Sequence, residues 1–418
     1  MTYLRALIGV VFFCAAARLL SRRSAPFPWR VVLVGIAMQV GIALAILRTD
    51  AGQRVFDRLG AFFGKLVSMT EPGATMVFGS LADPGSPAGF VFAFAGRGLL
   101  VIIFFSALMA LLYHFGVMQV VVWVMAKVMS RLMGLSGAES MANAANVFLG
   151  QTEAPLVVRP YIAGMTRSEL NALMVGGFAN VAGSVMAVYM ARLGPEYAPH
   201  LVTVSVMSAP AAFVIAKLLV PETEASATAG RCELRIERTA TNAVEAVANG
   251  TTEGLHLWLN VIAMLIAFVA LVTFVDWPLG WLGEALGLEG GLSLARIFGW
   301  VFAPVAWLMG VEGWHDCQLF GSLLGTQMSV NELVAYTRLA EMRPGGGGAQ
   351  TFEHLRSAKM AAYALCNFAN LGSIGIQIGG IGALAPGRRA DLSRLAFRAM
   401  LGGACACWMC AAVAGVFL

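Results

Sequence analysis

The chain has 418 residues, 59% of them hydrophobic and 12% charged, with a mean hydropathy of +0.76. Soluble domains carry about 25% charged residues, so this balance excludes a water-soluble domain as the bulk of the chain and places most of it in lipid. The net charge of +5 implies no nucleic-acid partner, because in a membrane protein the positions of Lys and Arg matter more than their sum.

Apolar segments near 4–20, 29–47, 92–115, 167–191, 199–220, 253–275, 360–384 and 396–417 predict about eight membrane-crossing helices. Each is near the ~20 residues a crossing needs. The first reads as an uncleaved span and not a signal peptide. Its basic residues (Arg18, Arg22, Arg23, Arg30) follow the apolar run, and no A-x-A site ends it. Residues 52–70 alternate charges with aromatic and aliphatic side chains, the pattern of a helix lying in the membrane interface. Segments 117–134 and 293–309 predict amphipathic or apolar helices that need not cross. Three basic clusters fall on one side if both termini face outward: Arg22, Arg23 and Arg30; Arg231, Arg235 and Arg238; Arg388, Arg389, Arg394 and Arg398. That side is then cytoplasmic, and the 276–292 loop, with Asp276, Glu284 and Glu289 and neither Lys nor Arg, lies outside.

Two stretches are versions of one another. Leu132–Tyr161 and Leu308–Tyr336 each open on Leu-Met-Gly and run through small and apolar residues to a Glu (Glu153, Glu332) and a Tyr. Downstream of each stands Phe-Ala-Asn, at 178–180 and 368–370. Duplicated units with polar residues inside apolar sequence mark secondary transporters, whose site lies between the repeats. Segments 138–165 and 314–344 are interrupted at 150–155 and 327–332. Their halves are too short to cross, so each predicts a re-entrant helical hairpin, with broken backbone sheltered inside protein. The hairpins enter from opposite sides, as an inverted repeat requires. The expected fold is an all-α polytopic membrane protein: scaffold helices over 1–50, a first repeat over 51–220 and a second over 221–418. The loop 343–350 reads as a flexible, outward-facing connection.

Glu153 and Glu332 are the strongest single signals, since an intramembrane carboxylate marks a site or an ion path. The blander reading pairs them with Arg159 and Arg338. Gln151 and Thr152 beside Glu153, with Asn370 and Ser373 opposite Glu332, make a neutral hydrogen-bonding site with one or two carboxylates. It suits an uncharged, hydroxyl-rich ligand. No Arg or Lys falls in the cluster, which argues against nucleotides and phosphorylated substrates. Phe368 and Val185 could wall a ring. Gly150-Gln151-Thr152 lacks the surroundings of a phosphate loop. Cys405, Cys407 and Cys410 have no His or acid beside them and read as small residues packing between helices. His315-Asp316 reads as a hairpin-base pair. An enzyme acting on a lipid-linked sugar would need a nucleophile, a metal or paired acids on one face, and no such set is visible.

These residues resemble the concentrative nucleoside transporter family in its short bacterial form. The match rests on Gly150-Gln151-Thr152-Glu153-Ala154-Pro155-Leu156, on Asn331-Glu332-Leu333-Val334-Ala335-Tyr336, and on Phe368-Ala369-Asn370 followed by Ser373 and Ile376-Gln377-Ile378-Gly379-Gly380. The resemblance implies a homotrimer in the bacterial inner membrane, importing nucleosides with a cation, with two opposed hairpins and two broken helices per protomer. It implies no cofactor beyond the coupling ion and no catalysis. By it, Gln151, Thr152, Glu153 and Val185 would meet the nucleobase. Glu332, Asn370 and Ser373 would hold the ribose, and Phe368 would line the pocket. A sodium site would fall on Asn146, the carbonyls of Leu149 and Val181, and Asn180. Two positions depart from the family pattern. Asn180 stands where Ser is common, which leaves the ion open between Na⁺ and a proton carried by Glu153 or Glu332. Gly310-Val311-Glu312-Gly313-Trp314 replaces a Gly-Val-Pro-Trp turn, so altered geometry is expected at the base of the second hairpin.

Overall fold

In the computed structural model, residues 2–21, 25–82, 99–229, 240–288 and 291–418 are described, and their regular elements are all helical. Arg22, Arg23, Arg231, Arg235, Arg238, Glu289 and the first part of the 92–115 segment lie outside them. Helices α1 (Thr2–Leu19) and α2 (Trp29–Leu47) open the chain. The amphipathic α3 (Asp50–Ser68) follows, its first turn capped where Thr49 Oγ1 accepts from the Gly52 N–H at 2.9 Å. A short α4 (Glu71–Phe78) comes next.

From there one order of elements occurs twice. The first pass is α5 (Val101–His114), α6 (Val117–Met133), a hairpin, a broken helix α10 (Arg167–Ala179) and α11 (Gly183–Leu193), and the span α12 (Ala198–Leu219). The hairpin descends as α7 (Gly137–Asn146) and returns as two four-residue turns, α8 (Ala154–Val157) and α9 (Arg159–Ile162). The second pass is α13 (Ala243–Ala285), α14 (Leu294–Leu308), the hairpin α15 (Trp314–Ser329) and α16 (Glu332–Met342), the broken helix α17 (Leu355–Ala364) and α18 (Leu371–Leu384), and α19 (Arg389–Gly415). Among the described residues five helical stretches are long and apolar enough to cross a membrane, and α5 with α6, bent by 77°, would make a sixth.

The segments 167–191 and 360–384, which read as continuous spans from hydropathy, are each interrupted. Asn180 (φ −124°, ψ 164°) ends α10 and Asn370 (φ −130°, ψ 163°) starts α18, both in extended conformation that breaks the helical ladder. The released backbone groups find partners inside protein, as lipid depth demands. Phe178 O accepts from Phe368 N–H at 2.8 Å, joining the two breaks directly. The Cys407 thiol lies 3.1 Å from Ala179 O and 3.4 Å from Cys366 O, one carbonyl from each break. Gln327 Nε2 donates to Leu365 O and Asn367 O.

Small residues set the helix approaches. Gly250 and Gly254 of α13 lie against Ala107–Ala110 and Ile103–Ser106 of α5, where added Cβ atoms would come within 2.7 Å of α5 atoms. Gly321 and Gly325 of α15 do the same against Gly299, Ala303 and Phe298 of α14. Gly403 of α19 abuts the first break, where a Cβ would stand 2.4 Å from Phe178 Cβ and 2.9 Å from its carbonyl carbon.

The base of the first hairpin is held by a buried charge. Lys217 Nζ on α12 lies 2.8 Å from Glu139 Oε2, with side chains 5% and 2% exposed, and donates to Ser168 Oγ at 2.9 Å. Glu139 also completes a capping box with Ser136, and Glu169 completes one with Thr166. At the base of the second hairpin the buried Asp316 accepts from the N–H groups of Glu353 and His354 and lies 3.1 Å from His354 Nδ1. The departure at 310–314 is a turn with two positive-φ glycines, Gly310 (90°) and Gly313 (65°). Arg356 ties it down through Gly310 O and Glu312 Oε1. The glycine-rich loop at 343–350 is a compact turn: Gly345 and Gly347 take φ of 81°, and the N–H of Gly348 donates back to Glu341 O.

Candidate functional site

The two hairpin tips and the second break meet at one string of hydrogen bonds. Hairpin 1 brings Gln151, hairpin 2 brings Glu332, and α18 brings Asn370 and Ser373. Gln151 Nε2 donates to Ser373 Oγ at 3.1 Å. The Ser373 N–H donates to Asn370 Oδ1 at 2.9 Å, which is also the N-cap bond of α18. Asn370 Nδ2 donates to Glu332 Oε2 at 3.1 Å. Four residues singled out in the sequence are thus in direct contact across more than 200 positions of chain.

Both ends of the string are set by residues that motif reading did not assign to the site. Tyr189 OH on α11 donates to Glu332 Oε1 at 3.0 Å, and the Tyr189 ring stacks on Tyr336 of hairpin 2 at a centroid distance of 4.2 Å. At the other end Gln377 Nε2 of α18 donates to Gln151 Oε1 and to Met174 O, each at 3.2 Å. A spacing signal existed for Gln377, one helical turn beyond Ser373 on the same face of α18. None existed for Tyr189, which reads as an ordinary aromatic in an apolar helix.

Glu332 does not take Arg338 as an ion partner: Arg338 Nη1 donates to Thr326 Oγ1 at 2.8 Å. Its carboxylate is buried and held by two neutral donors, an arrangement suited to accepting from ligand hydroxyls. Glu153 stands apart from the string. Its Oε2 accepts from the Gly150 N–H at 3.0 Å, folding the carboxylate back over the hairpin tip. Thr152 is exposed, with its methyl against Gly380 of α18. Val185 is buried on α11, and Phe368 is partly buried at the second break.

The residues proposed for a cation gather at the first break. Asn146, at the end of α7, is buried, and neither its Oδ1 nor its Nδ2 has a hydrogen-bond partner. Asn180 Nδ2 donates to Gly176 O at 2.9 Å and its Oδ1 accepts from Ser208 Oγ at 2.5 Å. An amide oxygen has two lone pairs, so Asn180 Oδ1 keeps one for a cation, and the unpaired Asn146 Oδ1 is a second hard donor. Leu149 follows in the turn that ends α7, and Val181 in the extended segment that follows α10. This donor set fits a small monovalent cation.

The chain is similar to known proteins over its whole length. Family models described as the N-terminus and C-terminus of Na⁺ dependent nucleoside transporters match residues 8–81 and 200–415, and one described as nucleoside recognition matches 97–196. The chain is 42% identical to an uncharacterized transporter of Haemophilus influenzae, over 100% of this chain and 98% of that protein. It is 36% identical to sodium/nucleoside cotransporter 2 of Rattus norvegicus over 98% of its own length, and spans 62% of that longer protein. The structure of CNTnw in an inward-facing, substrate-bound state superposes with a TM-score of 0.90 at 38% identity, covering 100% of this chain and 98% of that one. The chain therefore belongs to the Na⁺-dependent, concentrative nucleoside transporter family, a family of membrane carriers and not of enzymes.

Proposed function

We propose that the chain is a symporter that imports nucleosides across the bacterial cytoplasmic membrane by alternating access, coupled to Na⁺. The observation that carries this reading is the hydrogen-bond string from Gln151 to Glu332, which links the tips of the two hairpins through the second helix break. In this reading Gln151, Thr152 and Glu153 meet the nucleobase with Val185 beside it. Glu332, Asn370 and Ser373 hold the ribose, and Phe368 lines the pocket. Na⁺ sits between Asn146 Oδ1 and Asn180 Oδ1 with the carbonyls of Leu149 and Val181. It fastens the tip of hairpin 1 to the first break, and so preorganises Gln151. By linkage, nucleoside and Na⁺ raise each other's affinity by the same factor. The two passes of the chain, 51–220 and 221–418, act as the inverted halves. The protein works as a homotrimer with both termini outward.

Proton coupling is the second reading. Asn180 already bonds Ser208 and Gly176, so the amide itself could fill the place of the ion, leaving Glu153 or Glu332 to carry a proton. Uridine uptake into proteoliposomes under an inward Na⁺ gradient, against uptake under an inward proton gradient, separates the two. Accumulation driven by Na⁺ alone supports the first reading. Accumulation driven by protons alone overturns it.

A further inference from the structure

The Gln151 amide has two faces, a donor and an acceptor, and its use in recognition depends on which one the protein leaves free. Gln377 decides this. It is fully buried on α18, and its Nε2 reaches two oxygens at once, Met174 O and Gln151 Oε1. A backbone carbonyl can only accept, so Met174 O obliges Gln377 to present its NH₂ at that point. The same NH₂ obliges Gln151 to answer with its oxygen. The Gln151 NH₂ is then turned the other way, toward Ser373 Oγ. The seat for this contact is built by a missing side chain: a Cβ at Gly177 would stand 2.7 Å from Gln377 Nε2 and 3.3 Å from Gln151 Cβ.

We propose that Gln377, seated over Gly177 and anchored on Met174 O, is a positioning residue that locks the Gln151 amide with its NH₂ toward the ligand, and so selects nucleobases that present an acceptor there. Gln377 touches Gln151 and not the base. Uridine, with a carbonyl oxygen at C4, is favoured over cytidine, with an amino group at C4. This inference rests on the reading of Gln151 as a nucleobase contact.

The test is uptake of uridine and cytidine into proteoliposomes at saturating Na⁺, resolved into KM and maximal rate. The wild type is expected to show the lower KM for uridine. Gln377→Met keeps the length and removes the donor. It is expected to raise the uridine KM roughly 3- to 10-fold, the size of one modest hydrogen bond, to draw the uridine and cytidine values together, and to leave the maximal rate and the Na⁺ dependence unchanged. Gly177→Ala displaces the Gln377 amide by another route and should reproduce that shift if Gln377→Met does not fold. In a Gln151→Met background, Gln377→Met should change nothing further, whereas a merely structural role would add its own loss. If Gln151→Met leaves every KM at the wild-type value, the nucleobase reading of Gln151 fails and this inference with it. If Gln151→Met weakens uptake while Gln377→Met and Gly177→Ala keep the wild-type KM ratio, the positioning role alone is overturned. A wild type indifferent to uridine and cytidine overturns it equally.

Discussion

The backbone N–H of Phe368 donates to the carbonyl of Phe178 over 2.8 Å. These two residues open the two copies of Phe-Ala-Asn, so the duplicated tripeptides meet in space where each interrupts a helix. The Asn that closes each copy then takes a different role. Asn180 turns back to Gly176 and Ser208 at the proposed cation position, and Asn370 reaches Glu332. On the proposed reading, one motif supplies both an ion-side and a substrate-side amide.

Glu332 is gripped by Tyr189 OH and Asn370 Nδ2. Glu332→Gln keeps the shape and removes the charge. Charged hydrogen bonds contribute about 1.5–3 kcal/mol, so nucleoside affinity is expected to fall about 10- to 100-fold with the melting temperature in detergent close to wild type. Calorimetric titration with uridine measures this, and unchanged affinity would remove Glu332 from the ribose site.

Asn146 carries buried, unpartnered amide atoms beside the first break. Asn146→Ala is expected to raise the Na⁺ concentration for half-maximal uptake roughly tenfold or more, a loss of about 1.4 kcal/mol or more. The nucleoside affinity measured without Na⁺ should stay at its wild-type value. A Na⁺ dependence identical to wild type would place the ion elsewhere.

Lys217 and Glu139 form a buried pair at the base of hairpin 1. Lys217→Met strands a carboxylate in the interior, which costs about 3–5 kcal/mol and should appear as a large drop in melting temperature. Adding Glu139→Gln should restore much of the loss, because the stranded charge goes too. A double variant no more stable than Lys217→Met alone would contradict this account.

Gly403 has backbone and side-chain atoms of Phe178 within 3 Å of any added Cβ. Gly403→Ala is expected to destabilise the protein by about 1–3 kcal/mol and to raise the nucleoside KM by shifting the first break. Gly41→Ala, with nothing near its added Cβ, is the control and should leave both unchanged.

Much of this was legible in the sequence because chemistry that is rare in lipid stands out there. Gln151, Glu332, Asn370 and Ser373 announced themselves as polar groups inside apolar runs, and the structure brings them together. The interruptions at 180 and 370 escaped hydropathy, since a break changes backbone angles and leaves the apolar character of 167–191 and 360–384 intact; only the resemblance implied them. The contacts of Tyr189 and Gln377 were hidden for a different reason. The roles of these two residues are set by what they touch from 143 and 226 residues away; spacing along α18 puts Gln377 on the face of Ser373 but does not show its contact with Gln151, and nothing along α11 marks Tyr189. The run of glycines at 343–350 suggested a loose connection, but positive φ angles at Gly345 and Gly347 are what let that turn close on Glu341.

The string from Met174 to Tyr189 has its amides and carboxylate bonded to one another. On the proposed reading, a nucleoside entering there exchanges bonds as well as adding them, so its net gain is small compared with the number of contacts it makes. A ligand unable to replace each bond it displaces is penalised strongly, which favours discrimination over tenacity. For a carrier that is an advantage, because cargo held too tightly on one side of the membrane is never let go on the other.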